Sequence, residues 1–230
     1  MTTSFVQMLK ENKMTLIVSL PENRVELAKA AIDAGVDVVK LHVNVEHRAS
    51  GNHFTSVETY FDIFRRIREE FSGPLGIVPG GSFEDIKQGE LENLIGLGFN
   101  FYSIYAHHHP SWMLSLNKME KTFAITSDYN INSIGNVGHL GVSALEASII
   151  PGEQYGTPLT LKDVLAYNSI VQHVDVPVLV PSQRKLVPSD IPLLAKAGVK
   201  AVMLGAIVIG HTEASIQSEI TSFRKAIDLL

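Results

Sequence analysis

The stretch that decides the fold is Val36 to His47, VDVVKLHVNVEH. Side chains alternate along a strand, so Val39, Leu41 and Val43 share one face while Lys40, His42 and Asn44 share the other. A strand with helices outside and a filled interior turns Leu41 and Val43 towards the helices and aims the polar set inward. Near the carboxyl end of such a strand is where barrel enzymes keep their active sites. The joint that leads into this strand recurs: Gly35-Val36-Asp37, Gly98-Phe99-Asn100 and Gly198-Val199-Lys200 each end a helical pattern and open an apolar run.

Outward from it, strands are expected at Thr15–Leu20, Leu75–Val78, Phe101–Tyr105, Thr122–Ser127, Val142–Ser148, Val176–Val180 and Ala201–Leu204. Helical spacing falls between them: from Pro21 through Ile32, Val57 to Ile67, Phe83 to Leu97, a short piece at Pro110 to Leu116, Leu161 to His173, Ser189 to Lys196, and a last helix through Ile216, Ile220, Phe223 and Ile227. Thr55-x-x-Glu58 has capping-box form, with Ser82-x-x-Asp85 and Thr160-x-x-Asp163 as weaker versions. Alternation of this kind predicts parallel strands with helices outside. An open doubly wound sheet more often stops at five or six strands and carries a glycine fingerprint after the first, where this chain has Ser19-Leu20-Pro21-Glu22. The fold class expected is α/β, a single (β/α)8 TIM barrel, with residues 1–230 as one domain; no linker or low-complexity tract divides them.

Composition narrows the function. Of the 230 residues 19% are charged, the formal net charge is −5, and no run of Lys or Arg could track a phosphate backbone, so nucleic acid is not expected as a partner. There is no cysteine, which excludes disulfides and zinc–thiolate sites. The first twenty residues hold only a short apolar run, too brief for a membrane span and without a signal-peptide layout. The expectation is a cytoplasmic protein with no membrane partner, and a homodimer is one possible assembly.

In a filled barrel each interior layer takes its side chains from alternate strands. Strand two then contributes Lys40 and His42, strand four Ser103, Tyr105 and His107, and strand six Glu146. Lys and Glu are rarely buried unless paired, so Lys40 and Glu146 either neutralise each other or act as an acid–base pair. His42 titrates near neutral pH and is read with them as catalytic. Ser19, Asn44, Tyr105 and His107 are expected to contact substrate. A phosphate needs backbone N–H groups and the positive end of a helix. Gly205 and Ala206 after strand eight, with Ser182 and Arg184 after strand seven, are the expected phosphate-binding residues; Pro79-Gly80-Gly81 is a second, weaker place. His47 and Arg48 fall in a loop, 47–56, long enough for a lid or substrate grip, though a solvated surface loop has the same look.

Val176 to Val180 (VPVLV) and Ala197 to Ile207 (AGVKAVMLGAI) resemble the last two βα units of the ribulose-phosphate-binding barrels, the superfamily of phosphosugar epimerases and isomerases, decarboxylases and related synthases. Gly205-Ala206 stands where that superfamily grips phosphate with Gly-Ser or Gly-Gly. Leu41 to Glu46 (LHVNVE) resembles the strand-two motif His-Val-Asp-Val-Met-Asp of ribulose-phosphate 3-epimerases, with Asn44 in place of a metal-holding Asp. The other ligands of that motif fall on Ile77 or Pro79 and on Pro181 or Ser182, so neither a metal nor another cofactor is expected. Pro151 to Gly156 is similar to the epimerases' glycine-rich loop after strand six. N-acylmannosamine-6-phosphate epimerases work without metal through a lysine and a glutamate, on other strands than Lys40 and Glu146.

The resemblance implies a small phosphorylated substrate and an isomerase or epimerase that moves a proton next to a carbonyl. Two alternatives stand beside it: an aldolase-type lyase in which Lys40 forms a Schiff base, and a non-catalytic barrel that binds a phosphorylated metabolite.

Overall fold

A computed structural model describes residues 4–230. Eight parallel strands close into a barrel in the order β1 (Thr15–Ser19), β2 (Val38–His42), β5 (Leu75–Val78), β6 (Phe101–Tyr105), β7 (Glu120–Ile125), β8 (Ala144–Ala147), β9 (Val178–Pro181) and β10 (Ala201–Leu204), with β10 pairing back to β1. β3 (Val45–His47) and β4 (Asn52–Phe54) form a separate antiparallel hairpin that rises from the end of β2.

The alternation read in the sequence is kept in space. Leu16, Val18, Val39, Leu41, Ile77 and Val202 face outward and pack beneath the helices α2 (Val25–Asp33), α3 (Val57–Glu70), α4 (Gln88–Gly96), α5 (Leu161–His173), α6 (Ile191–Lys196) and α8 (Glu213–Asp228). A second buried cluster fills the lower half of the barrel: Ile17, Val38, Phe101, Ala144, Leu179 and Ala201. The bottom is stoppered by α1 (Phe5–Glu11), an element the sequence reading did not foresee. Its Phe5 ring stacks on Phe101 at 3.8 Å and 7°, and Leu9 is buried beside it. Glu120, at the foot of β7, anchors this plug by accepting the Val6 N–H at 2.9 Å and the Ser4 hydroxyl. Gly76 leaves room for the same ring, since a Cβ there would lie 2.2 Å from Phe101 Cζ.

Several boundaries differ from expectation for identifiable reasons. The first helix begins at Val25 and not at Pro21, because Asn23 is used instead to clamp the backbone of His42. α3 starts from Ser56 without a side-chain cap, so the Thr55–Glu58 box does not form. The Ser82–Asp85 segment starts no helix, and α4 is confined to Gln88–Gly96. The Thr160–Asp163 box does form, despite the shorter Asp. After β6 and β7 no α-helix follows; single 3₁₀ turns, Ala106–His108, Ser111–Ser115, Ile131–Ser133 and Val137–Leu140, cover that wall instead. No helix among the described residues is long and apolar enough to cross a membrane.

Candidate active site

Layering carries the chemistry upward from the apolar floor. β2, β6 and β8 contribute Val38, Phe101 and Ala144 below, then Lys40, Ser103 and Glu146, then His42 and Tyr105, joined by Ser148 just past the end of β8. Above the first of these layers a cavity of about 560 Å³ opens at the carboxyl end of the strands, lined among others by Lys40, His42, Tyr105, Glu146, Ser182 and Gly205.

Lys40 and Glu146 meet on its floor. Nζ lies 2.8 Å from Oε2, and the residues are only 4% and 8% exposed, so this is a desolvated ion pair. Ser103 donates to the same oxygen at 2.7 Å and Ser148 to Oε1 at 3.0 Å. Burial by itself would push the Glu146 carboxyl up, but the ammonium of Lys40 and the hydrogen bonds from Lys40, Ser103 and Ser148 outweigh it and hold the group below the usual carboxylate range. Removing either partner would strand a buried charge.

His42 sits one layer higher with its backbone fixed by Asn23, whose amide donates to the His42 carbonyl at 2.6 Å and accepts its N–H at 3.3 Å. Its Nε2 lies 3.3 Å from Ser19 Oγ, while the buried Nδ1 has no hydrogen-bond partner. The ring packs against His47 at 4.4 Å and Phe54 at 4.8 Å, both from the hairpin. Burial first, then His47 and Lys40, depress its pKa well below the ordinary histidine value, so the imidazole is neutral at pH 7. Tyr105 keeps its proton for a related reason: burial, then Tyr155 and Glu146, push the phenol up.

Ser182 and Gly205 converge at the opposite side of the mouth. The Gly205 N–H donates to Ser182 Oγ at 2.8 Å, which leaves the hydroxyl proton free to be offered elsewhere. Gly205 caps α7 (Ala206–Ile209), whose first N–H groups have no partner within so short a helix. The Ala206 side chain is buried outside the cavity, so that residue can offer only its backbone.

Ser19 and His107 also line the cavity, His107 from the exposed turn after β6. Two expected residues are engaged elsewhere. Asn44, at φ 52°, turns its amide to Glu90 Oε2 at 2.6 Å and to the Asp85 carbonyl at 3.4 Å, which fastens the start of the hairpin to α4. Arg184 is only 7% exposed and grips Asp163 with both arms, Nε–Oδ2 2.9 Å and Nη2–Oδ1 3.0 Å. It also binds Gln154 Oε1 at 2.8 Å and the Thr157 hydroxyl, and so ties the loop after β8 to the start of α5. Neither residue lines the cavity. Gln183 and Tyr155 do; the segments that carry them, 181–184 and 151–156, stood out in the sequence, but these two side chains did not, and the Gln183 amide donates to the Tyr155 hydroxyl at 2.7 Å. Residue-type patterns gave no signal for them, because their partnership spans two loops. Among the described residues no three His, Asp or Glu side chains group as a metal ion would need.

Comparison with known proteins bears on the fold. No protein-family model matches the chain, and no curated protein matches it in sequence. A tryptophan synthase chain from Mycobacterium tuberculosis superposes with a TM-score of 0.77 at 11% identity, covering 98% of each chain. The chain folds as a TIM barrel. It is similar in the same way to a thiamine phosphate pyrophosphorylase from Pyrococcus furiosus, TM-score 0.67 at 12% identity over 95% of this chain and 97% of that one. It is also similar to the tryptophan synthase A-subunit of Pyrococcus furiosus, TM-score 0.68 at 10% identity over 93% and 98%.

Proposed function

We propose that this barrel is an isomerase or epimerase for a small phosphorylated sugar, moving a proton on a carbon next to a carbonyl. The observation that carries the reading is the buried Lys40–Glu146 pair, Nζ to Oε2 2.8 Å, on the floor of an open cavity. A structural ion pair can be satisfied at any depth of the barrel, whereas an acid and a base held side by side on the floor of a cleft can serve one substrate carbon and its oxygen in turn.

At rest the pairing weakens Glu146 as a base. A substrate carbonyl that accepts a hydrogen bond from Lys40 draws the ammonium off the carboxylate and returns basicity to it. Glu146 then takes the carbon-bound proton, and the electron pair of that C–H bond forms the enediolate double bond. The oxygen that gains the charge is met by the Lys40 ammonium and by a neutral His42, which can donate without first losing charge. For an isomerisation the proton returns to the neighbouring carbon while the hydroxyl proton there passes to the first oxygen through the neutral His42. For an epimerisation Glu146 keeps its proton and a solvent proton is delivered to the other face of the same carbon. Ser182 and the backbone N–H groups at the start of α7 would hold the phosphate, a role barrels frequently give to the loops after their seventh and eighth strands. One barrel of similar fold carries thiamine phosphate in its name, which agrees with a phosphorylated ligand.

The test is solvent exchange. Incubation with a panel of phosphorylated aldoses and ketoses in D2O should place deuterium at the carbon next to the carbonyl, read by mass spectrometry. Glu146→Gln and Lys40→Met should each slow that exchange by about 10²–10⁴-fold. A panel with no exchange, or variants that keep the full rate, ends the assignment. Borohydride-trapped mass at Lys40 would replace it with the Schiff-base lyase reading.

A further inference from the structure

We infer that the mouth of the cavity holds a second anion subsite, built by Arg48 against Gly152, so that the substrate carries a negative group at each end: a phosphorylated sugar acid or a bisphosphate. The inference rests on the phosphate-directed reading of the cavity and adds what the other end of the ligand must be.

Arg48 follows directly on β3 and is carried over the mouth by the hairpin, where it lines the cavity. Its neighbour Glu46, which also lines the cavity, is in contact with His53, Nδ1–Oε1 2.6 Å. Arg48 itself has no ion-pair partner among the described residues, whereas the other cation that lines the cavity, Lys40, is spent on Glu146. The guanidinium rests on the loop after β8. A Cβ on Gly152 would lie 2.4 Å from Arg48 Nη1, and Gly152 is not among the glycines with positive φ. Glycine at 152 therefore keeps a berth for the guanidinium and does not serve the backbone. Arg48 is exposed at the mouth, and its charge offsets part of the rise that burial imposes on the Tyr105 phenol.

The expected phosphate grip lies over β9 and β10, and Gly152 lies in the loop after β8. β8 and β10 are separated by two strand spacings, about 10 Å. That is room for a sugar chain between two anions, and the planar fork of an arginine suits a carboxylate or phosphate on the open side of a cleft.

Two ligands separate the possibilities: 6-phosphogluconate and glucitol 6-phosphate, which differ only by a carboxylate in place of a hydroxymethyl group. Calorimetric titration of the full chain should find the acid bound about 10-fold more tightly, as a charge-assisted contact gives. Arg48→Gln should collapse that preference while leaving the affinity for glucitol 6-phosphate within about 2-fold of its starting value, since only the charge-assisted contact is removed. Gly152→Ala, which displaces a flexible side-chain end and no backbone, should reduce the preference in the same direction. Equal affinity of the intact protein for both ligands, or an Arg48→Gln variant that keeps the preference, overturns this inference and leaves the phosphate reading standing. Failure of both ligands to bind overturns the two together.

Discussion

His47 is pressed over His42 from the hairpin, and burial first, then Lys40, lower its pKa to about 4, with Glu146 opposing. In the unfolded chain a histidine takes up its proton near pH 6.5. Between those two values the unfolded state binds the extra proton and the fold does not, so acidification favours unfolding. Stability should fall as pH drops from about 6.5 towards 4, with a slope approaching one proton for His47 and another for His42. Thermal melts across that range should show His47→Gln losing less stability on acidification than the parent; parallel curves would mean that the ring is not held neutral by the fold. Glu146 and Asp163, held low, begin to cost stability only at the bottom of that range, where the unfolded carboxylates take up protons, and they do so in parent and variant alike. Among single residues, strand phase alone led to Lys40, His42 and Glu146, since one decision about which face is apolar fixes every second side chain. Asn44 and Arg184 escaped that logic because their partners, Glu90 and Asp163, are supplied by other elements. A residue's type says what it can bind, not which distant group will claim it.

Elements divide in the same way. Long periodic segments such as α3, α5 and α8 were legible because apolar stripes of that length have one good reading. α1 and the β3–β4 hairpin were not, being 7 and 3 residues per element and justified only by what they cover. For α1 that is the bottom of the barrel, and its contribution can be measured. Phe5 is fully buried and stacked on Phe101, so Phe5→Ala removes a ring from a closed interior and should cost about 3–5 kcal/mol in urea unfolding. The plug lies at the end of the barrel away from the cavity, so ligand affinity in the surviving folded fraction should change little. A loss below about 1 kcal/mol would show that the barrel floor relaxes to fill the gap and that α1 is an appendage, not a stopper.

Across the whole molecule the barrel is unequally clad. β1, β2 and β10 lie behind α2, α3 and α8, with α2 and α8 packed on each other, whereas the wall made by β6 and β7 is covered by short 3₁₀ turns. Those turns bury Met113 and Ile134 but have no i→i+4 ladder to hold them once a side chain lifts. Local stability follows buried apolar contact and protected hydrogen bonding, so the two sides should open differently. In native-state hydrogen exchange, amides of β1, β2 and β10 should exchange only with global unfolding, while those in 106–119 and 126–143 should exchange through local openings of lower free energy. The distinction matters for the site, because Tyr105, His107 and Thr126 enter the cavity from the thinly covered side and Ser19, Lys40 and His42 from the thickly covered one. The rigid half thus holds Lys40 of the buried ion pair and the neutral imidazole, and the softer half can adjust to whatever lies between them. Uniform protection around the barrel would remove that asymmetry and require both walls of the cavity to be equally preformed.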